Sequence, residues 1–195
     1  SLYYWETSDG TRRLNAACGT SFFQYNEATT HWEVLRIGFT TGLRFSFMVY
    51  LNVLYMTNGT DPYADYNGTV VTDRTGAGTR RARYLLAAND TGYAIGVTGE
   101  RSILYYTGAA PANMQTFVNA LDINQDDGQV DTGLGNLGPI ALVFKEDSIY
   151  DVNILAATPT RQQLDYSGGA TYHRTIRRVE NDVMFLSDHG VFSLA

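Results

Sequence analysis

The sequence predicts an all-β protein whose antiparallel strands follow one another as meanders, and three observations support this. Short apolar or aromatic runs alternate with turn residues over nearly the whole chain. The 195 residues include 14 tyrosines, 9 phenylalanines and 19 glycines but only 4 prolines, a composition that favours strands joined by many turns. No sustained apolar repeat typical of an amphipathic helix accompanies them.

The first quarter of the chain predicts four strands in succession. Leu2–Glu6 is rich in aromatic residues, and Arg12–Cys18 returns after a turn at Ser8-Asp9-Gly10. Ser21–Tyr25 and Trp32–Arg36 follow, separated by polar turn residues. A four-stranded meander of this kind is the repeating sheet of a β-propeller blade.

A second unit follows and contains the clearest turn signals. Leu43–Leu51 predicts a long strand, and Val53–Thr57 predicts its partner. Tyr63–Tyr66 lies between the two Asn-Gly turns Asn58-Gly59 and Asn67-Gly68. Both central residues of such turns need positive φ, which Asn and Gly adopt readily, so we predict hairpins here.

The next strands are predicted at Arg83–Ala88, Tyr93–Val97 and Ser102–Tyr106. Beyond them the pattern is less regular. Met114–Ala120 fits either a short helix or a strand, and Asp122–Gly135 is polar and rich in turn residues. We therefore expect a long connection in this region.

The last quarter predicts two hairpins. Ile140–Lys145 and Ser148–Ile154 form the first, and a strand at Tyr172–Val179 leads to the second. In the second hairpin Val183–Leu186 and Val191–Leu194 flank a tight turn that ends with glycine. A chain that stops on a strand leaves a sheet edge without a neighbour, so we expect this sequence to be part of a larger protein.

Blade units of about 40–45 residues place roughly four units in the chain, with repeat boundaries near 38–42, 72–80 and 108–135. Propellers close with about 4–8 blades, so residues 1–195 are interpreted as part of one propeller-like domain. A β-sandwich or a barrel uses strands of similar length and spacing and is the alternative.

Four aromatic residues are candidate binding residues for a partner protein or a sugar. They form two adjacent pairs, Tyr4 with Trp5 and Tyr105 with Tyr106. Neighbours on a strand face opposite sides of the sheet, so one of each pair is expected in the core. The single cysteine, Cys18, is expected to be a small buried apolar residue.

A polar segment is the candidate metal site. Asp122, Asn124 and Asp126 alternate as in the start of a calcium-binding loop, but Asp127 stands where such loops have glycine. An acidic turn without metal is the alternative interpretation. Asp126, Asp127 and Asp147 could also contribute a carboxylate pair for glycoside hydrolysis, although the pattern nominates no catalytic residue.

Eight segments, taken in order, resemble the propeller-type structural proteins of tailed bacteriophages that form neck, nozzle and tail assemblies. The segments are Trp32-Glu-Val-Leu-Arg, Arg44-Phe-Ser-Phe-Met-Val-Tyr, Leu54-Tyr-Met-Thr-Asn-Gly-Thr-Asp, Tyr66-Asn-Gly, Ser102-Ile-Leu-Tyr-Tyr-Thr, Asp126-Asp-Gly, Ala141-Leu-Val-Phe-Lys-Glu-Asp-Ser-Ile-Tyr and Asn181-Asp-Val-Met-Phe-Leu-Ser-Asp-His-Gly-Val-Phe-Ser-Leu. The resemblance covers the chain from Leu2 to Leu194 and rests on strand-and-turn patterns, which are moderately specific as an ordered set.

This resemblance implies a non-enzymatic virion component, assembled in the bacterial cytoplasm and present in several copies around a symmetry axis. Its expected partners are connector, tail or tube subunits, and no cofactor is expected. The net charge of −6 fits DNA passing nearby without specific binding. A carbohydrate-binding module or adhesin, suggested by the tyrosines and Trp5, and a glycan hydrolase are the alternatives. No apolar run has the length of a membrane span.

Overall fold

The computed structural model describes residues 1–76, 78–108, 111–154, 158–164 and 168–195. The described residues form 19 strands arranged in five antiparallel sheets, with 3-10 turns at Gln125–Asp127 and His173–Thr175 as their helical segments. None of these segments is long and apolar enough to cross a membrane as a helix. The predicted fold class, an all-β protein of blade-like antiparallel meanders, is confirmed.

The first two sheets are four-stranded meanders in which successive strands pair side by side. Sheet 1 contains β1 (Leu2–Glu6), β2 (Arg12–Cys18), β3 (Ser21–Asn26) and β4 (His31–Ile37). Sheet 2 contains β5 (Ser46–Tyr50), β6 (Val53–Thr57), β7 (Tyr63–Tyr66) and β8 (Val71–Arg74).

Sheets 3 and 4 repeat this order, and sheet 5 has three strands. Sheet 3 contains β9 (Tyr84–Ala88), β10 (Thr91–Ile95), β11 (Ile103–Tyr106) and β12 (Asn119–Asp122). Sheet 4 contains β13 (Asp131–Leu137), β14 (Ile140–Lys145), β15 (Ile149–Asn153) and β16 (Thr160–Gln163). Sheet 5 contains β17 (Arg177–Val179), β18 (Asp182–Ser187) and β19 (Gly190–Leu194).

The described parts of the connections between sheets are residues 38–45, 75–76 with 78–83, 123–130, and 164 with 168–176. Ala77, Ala109 and Ala110, which fall within predicted boundary regions, lie outside the described residues. The sequence predicts roughly four units, whereas the structure has five sheets. The difference arises because the terminal hairpin belongs to a separate three-stranded sheet.

Strand β13 begins inside a segment that the sequence predicts to be a turn-rich connection. Its glycines explain the error, because glycine is depleted in strands unless another chain segment approaches closely. A Cβ added to Gly133 or Gly135 would lie 2.5 Å or 2.9 Å from side-chain carbons of Ile176. The two glycines therefore let the segment before sheet 5 pack directly on β13.

One apolar cluster fills each space between successive sheets. Leu54 and Met56 of β6 belong to the cluster shared with sheet 1, whereas Tyr55 between them belongs to the cluster shared with sheet 3. Likewise Ala141 and Leu142 of β14 belong to the clusters shared with sheets 3 and 5. Because alternate residues of a strand point to opposite faces, sheets 2, 3 and 4 are covered on both faces. Sheets 1 and 5 each pack through one face.

Candidate functional site

The predicted aromatic pairs divide between core and surface. Trp5 is buried at 3% exposure, and its indole Nε1 donates to Asn15 Oδ1 at 2.8 Å. Its neighbour Tyr4 is 54% exposed. Tyr105 is buried, with its hydroxyl donating to Glu100, and Tyr106 is half-buried against the cluster between sheets 3 and 4. Of these four residues, Tyr4 presents the most ring surface to a partner.

The predicted calcium-type loop surrounds a lysine. The Lys145 ammonium is fully buried and donates to the Asn124 carbonyl oxygen at 2.8 Å. It also forms an ion pair with Asp127 Oδ2 at 2.6 Å and lies 5.3 Å from the centre of the Tyr150 ring. The loop therefore already receives a positive charge from β14.

The remaining oxygen ligands of that loop point elsewhere. Asp122 Oδ1 accepts from the Gln125 N–H at 3.0 Å and lies 3.7 Å from Arg161 Nη1, while Asp126 is exposed. Within the described ranges, no three His, Cys, Asp or Glu side chains are grouped so that they could hold a metal ion. Calcium binding stays a prediction. Asp122, the first carboxylate of the predicted loop, is already occupied by the Gln125 N–H and by Arg161.

Sheet 1 exposes an apolar face that sequence patterns did not reveal. Cross-strand register places alternate residues of its four strands on this side. We call it the sheet-1 face and define it by its exposed apolar members and the cysteine, Leu2, Tyr4, Cys18, Trp32, Val34 and Ile37. The exposed ion pair of Glu6 and Arg12 lies at one end of the same side. Leu2 and Ile37 are 65% and 71% exposed. The expectation that Cys18 is buried is wrong, because no described sheet covers this side.

Sheet 5 has a similar face. Val183, Phe185 and Leu194 turn towards sheet 4, whereas the alternate positions of the same strands face away. The sheet-5 face is defined by its apolar members Val179, Met184, Leu186 and Val191, and Arg177 and Ser193 lie on the same side. Val191 is 68% exposed. Both ends of the sheet series therefore expose apolar side chains.

A pocket of about 390 Å³ forms where the beginnings of sheets 1, 2 and 3 meet the segment that enters sheet 5. We call it the arginine pocket because four arginines line it, Arg44, Arg83, Arg174 and Arg177. Its aromatic wall contains Tyr3, Phe45, Phe47, Tyr84, Tyr172 and His173. In the sequence, Arg177 belongs to the adjacent basic pair Arg177-Arg178, and Arg83 belongs to a separate cluster with Arg80 and Arg81. The fold brings Arg177 and Arg83 together with Arg44 and Arg174.

Hydrogen bonds fix the frame of this pocket. Ser1 Oγ accepts from the Phe45 N–H at 3.0 Å and from Arg174 Nη2 at 2.9 Å. His173 Nδ1 accepts from the Leu134 N–H at 3.3 Å, which places the imidazole proton on Nε2. The His173 ring lies 4.6 Å from the Tyr84 ring. Ser1, Tyr84 of sheet 3 and Leu134 of sheet 4 thus all contact the segment that carries Arg174.

The electrostatics of the pocket are cationic. Burial, with Arg177 and Arg174 nearby, lowers the pKa of His173 to about 4, so its imidazole is neutral at pH 7. The described side chains provide no carboxylate within ion-pair distance of the four pocket arginines. The charged side chains that line the pocket among the described residues are therefore guanidinium groups.

Asp131, the first residue of β13, is a buried carboxyl group. Its Oδ2 accepts from the Ser102 N–H at 3.0 Å, whereas its Oδ1 and Ser102 Oγ have no hydrogen-bond partner among the described atoms. Burial raises the pKa of Asp131 to about 6. Since the folded state binds the proton more readily than the unfolded state, this group reduces stability as the pH rises from about 4 to 6.

Asp131→Asn is therefore expected to increase the free energy of unfolding at pH 7 by about 1–2 kcal/mol. The amide removes the buried charge and keeps an oxygen for the Ser102 N–H. Urea unfolding at pH 7 and at pH 4 measures the effect, which should shrink at the lower pH as the wild-type carboxyl becomes protonated. The same change at exposed Asp147 is the control, with little effect expected. A less stable Asp131→Asn protein at pH 7 would contradict this account.

No protein-family model matches the chain, and no curated protein matches it.

Proposed function

We propose that this chain is a non-enzymatic structural component that acts through protein–protein assembly. The setting implied by its sequence resemblance is the neck, nozzle or tail of a tailed-phage virion, with several copies around a symmetry axis. The observation that carries the assembly proposal is the pair of apolar faces at the two ends of the sheet series.

Contiguous apolar surface on a protein is typical of an interaction site, because leaving it in water is unfavourable. The sheet-1 face shows this most strongly, with Leu2, Val34 and Ile37 each more than half exposed. The four interfaces inside the molecule bury the same kind of face against the next sheet. We therefore propose that the occupant of the sheet-1 face is an apolar β-sheet of a neighbouring virion subunit.

Cys18 provides a direct test, because it is the single cysteine of the chain and lies exposed on the sheet-1 face. A maleimide should modify Cys18 in the isolated protein and should fail to do so in the assembled particle. The control is Thr29→Cys in a Cys18→Ser background, which moves the thiol to an exposed turn outside both faces. Equal labelling of Cys18 in both states would contradict occupancy of this face.

Incorporation into particles gives a second readout. Ile37→Glu places a charge within the proposed contact and is expected to reduce incorporation at least about tenfold, since buried unpaired charge strongly opposes association. Val118→Glu is the matched control, because Val118 is 66% exposed but lies outside both faces. Equal incorporation of the two variants would refute the assembly role of the sheet-1 face. Failure of the wild-type protein to enter any phage particle would refute the virion setting.

A further inference from the structure

We propose that the arginine pocket binds a small ligand that carries two or more oxyanion groups, such as phosphates or carboxylates. This inference does not depend on the proposed function, because it rests on the arginines that line the pocket and not on the apolar side chains of the two faces. The pocket shares Leu2 with the sheet-1 face, and Arg177 pairs with Met184 on the outward side of sheet 5.

The charge distribution is the first argument. The chain has 20 acidic and 14 basic residues, yet four basic residues and no described acidic residue line this pocket. Four guanidinium groups around one cavity repel one another, and water around the exposed groups weakens this repulsion without removing it. A bound anion would relieve this repulsion.

The second argument is that the four arginines come from separate parts of the chain and that contacts around the pocket hold these parts together. Arg44 precedes Phe45, whose N–H binds Ser1 Oγ, and Arg174 donates to the same oxygen. Arg83 adjoins Tyr84, whose ring contacts the His173 ring next to Arg174. The frame is therefore tied together by hydrogen bonds and ring contacts while the guanidinium groups remain exposed to solvent.

Size and chemistry define the ligand class. Guanidinium groups bind phosphate and carboxylate with two parallel hydrogen bonds, which favours planar or tetrahedral oxyanions. The volume of about 390 Å³ lies in the range of small-molecule sites, which is about 300–1,000 Å³. Duplex DNA has a major groove about 12 Å wide, and the whole duplex is wider still. It would not enter a pocket of this volume.

Neighbouring arginines on β17 supply a matched pair of variants. Arg177 lines the pocket, whereas Arg178 does not, and successive residues of a strand point to opposite sides. Both side chains are exposed, so neither substitution should prevent folding. Arg83→Gln, on a different sheet, gives an independent variant.

The experiment is isothermal titration calorimetry with pyrophosphate and, separately, with citrate, at constant ionic strength because salt screens exposed charges. We expect a dissociation constant below about 1 mM for at least one of these anions. Arg177→Gln and Arg83→Gln should each weaken binding about tenfold, as expected for the loss of a charge-assisted hydrogen bond. Arg178→Gln should leave binding unchanged.

Three results would overturn the proposal. One is the absence of binding for both anions at millimolar concentration. Another is equal weakening by Arg177→Gln and Arg178→Gln, which would indicate non-specific attraction to exposed arginines. The third is tighter binding of a short DNA duplex that is lost in Arg177→Gln, which would assign these arginines to nucleic acid.

Discussion

Lys145→Met is expected to lower the free energy of unfolding by about 3–5 kcal/mol. The ammonium group of Lys145 is fully buried, so its removal takes the charged donor away from the Asp127 carboxylate and a donor away from the Asn124 carbonyl oxygen. Asp127 keeps the neutral donors Gln129 N–H and Tyr150 hydroxyl. Asp127 is only 12% exposed, and water can therefore replace the lost partner poorly. Chemical denaturation of both proteins at pH 7 measures the difference.

A double-mutant cycle separates the charge effect from lost packing. Asp127→Asn alone is expected to destabilise the protein, because it leaves the Lys145 charge buried. The double variant should be more stable than the sum of the single effects predicts, since neither member of the ion pair is left buried without the other. Asp122→Asn is the control, because the Asp122–Arg161 pair is partly exposed and should contribute no more than about 1 kcal/mol. Additive single effects would show that the ion pair itself contributes little.

Gly169→Ala is expected to destabilise the protein by about 3 kcal/mol or more. A Cβ at this position would lie 1.9 Å from the Lys145 carbonyl oxygen and 2.8 Å from the Glu146 carbonyl oxygen. Both are backbone atoms, so a side-chain rotation cannot relieve the overlap. The chain would have to move, at the expense of the hydrogen bond from the Ala170 N–H to Lys145 O, which is 3.1 Å long.

Thermal and chemical unfolding measure this effect, and Gly108→Ala is its control. Gly108 has no other atom within 4 Å of an added Cβ and does not require positive φ. Alanine there should change stability by less than about 1 kcal/mol. If the two variants were equally stable, the approach of Gly169 to the end of β14 would not be as close as described.

Much of the fold could be predicted from local patterns, because most strands are short apolar runs bounded by turn residues. The predicted bounds of Leu2–Glu6, Val53–Thr57 and Ile140–Lys145 agree with β1, β6 and β14. In contrast, Thr160–Gln163 was missed as a strand. All four of its residues are polar and exposed, and it is held by backbone pairing to β15.

The candidate sites were less predictable, because they depend on residues that are distant in sequence. Lys145 reads as the polar end of an apolar strand, and its partner Asp127 lies 18 positions away. The acidic loop therefore suggested a metal, although a lysine from the next sheet supplies the positive charge. The arginine pocket likewise forms where sheets 1, 2, 3 and 5 come together, and no local sequence motif predicts this contact.

Because alternate side chains of sheets 2, 3 and 4 pack on opposite neighbours, the stability of each sheet depends on the sheets next to it. Each of sheets 2, 3 and 4 contributes to two neighbouring clusters, so loosening one sheet weakens the interface on each side of it. Stability in such an arrangement behaves as a sum of unit terms and nearest-neighbour couplings, as in repeat proteins. Sheets 1 and 5 have one such coupling each within the described residues. Partial unfolding should therefore begin at the two ends and proceed inwards, and a partner bound to an end face would supply the second coupling.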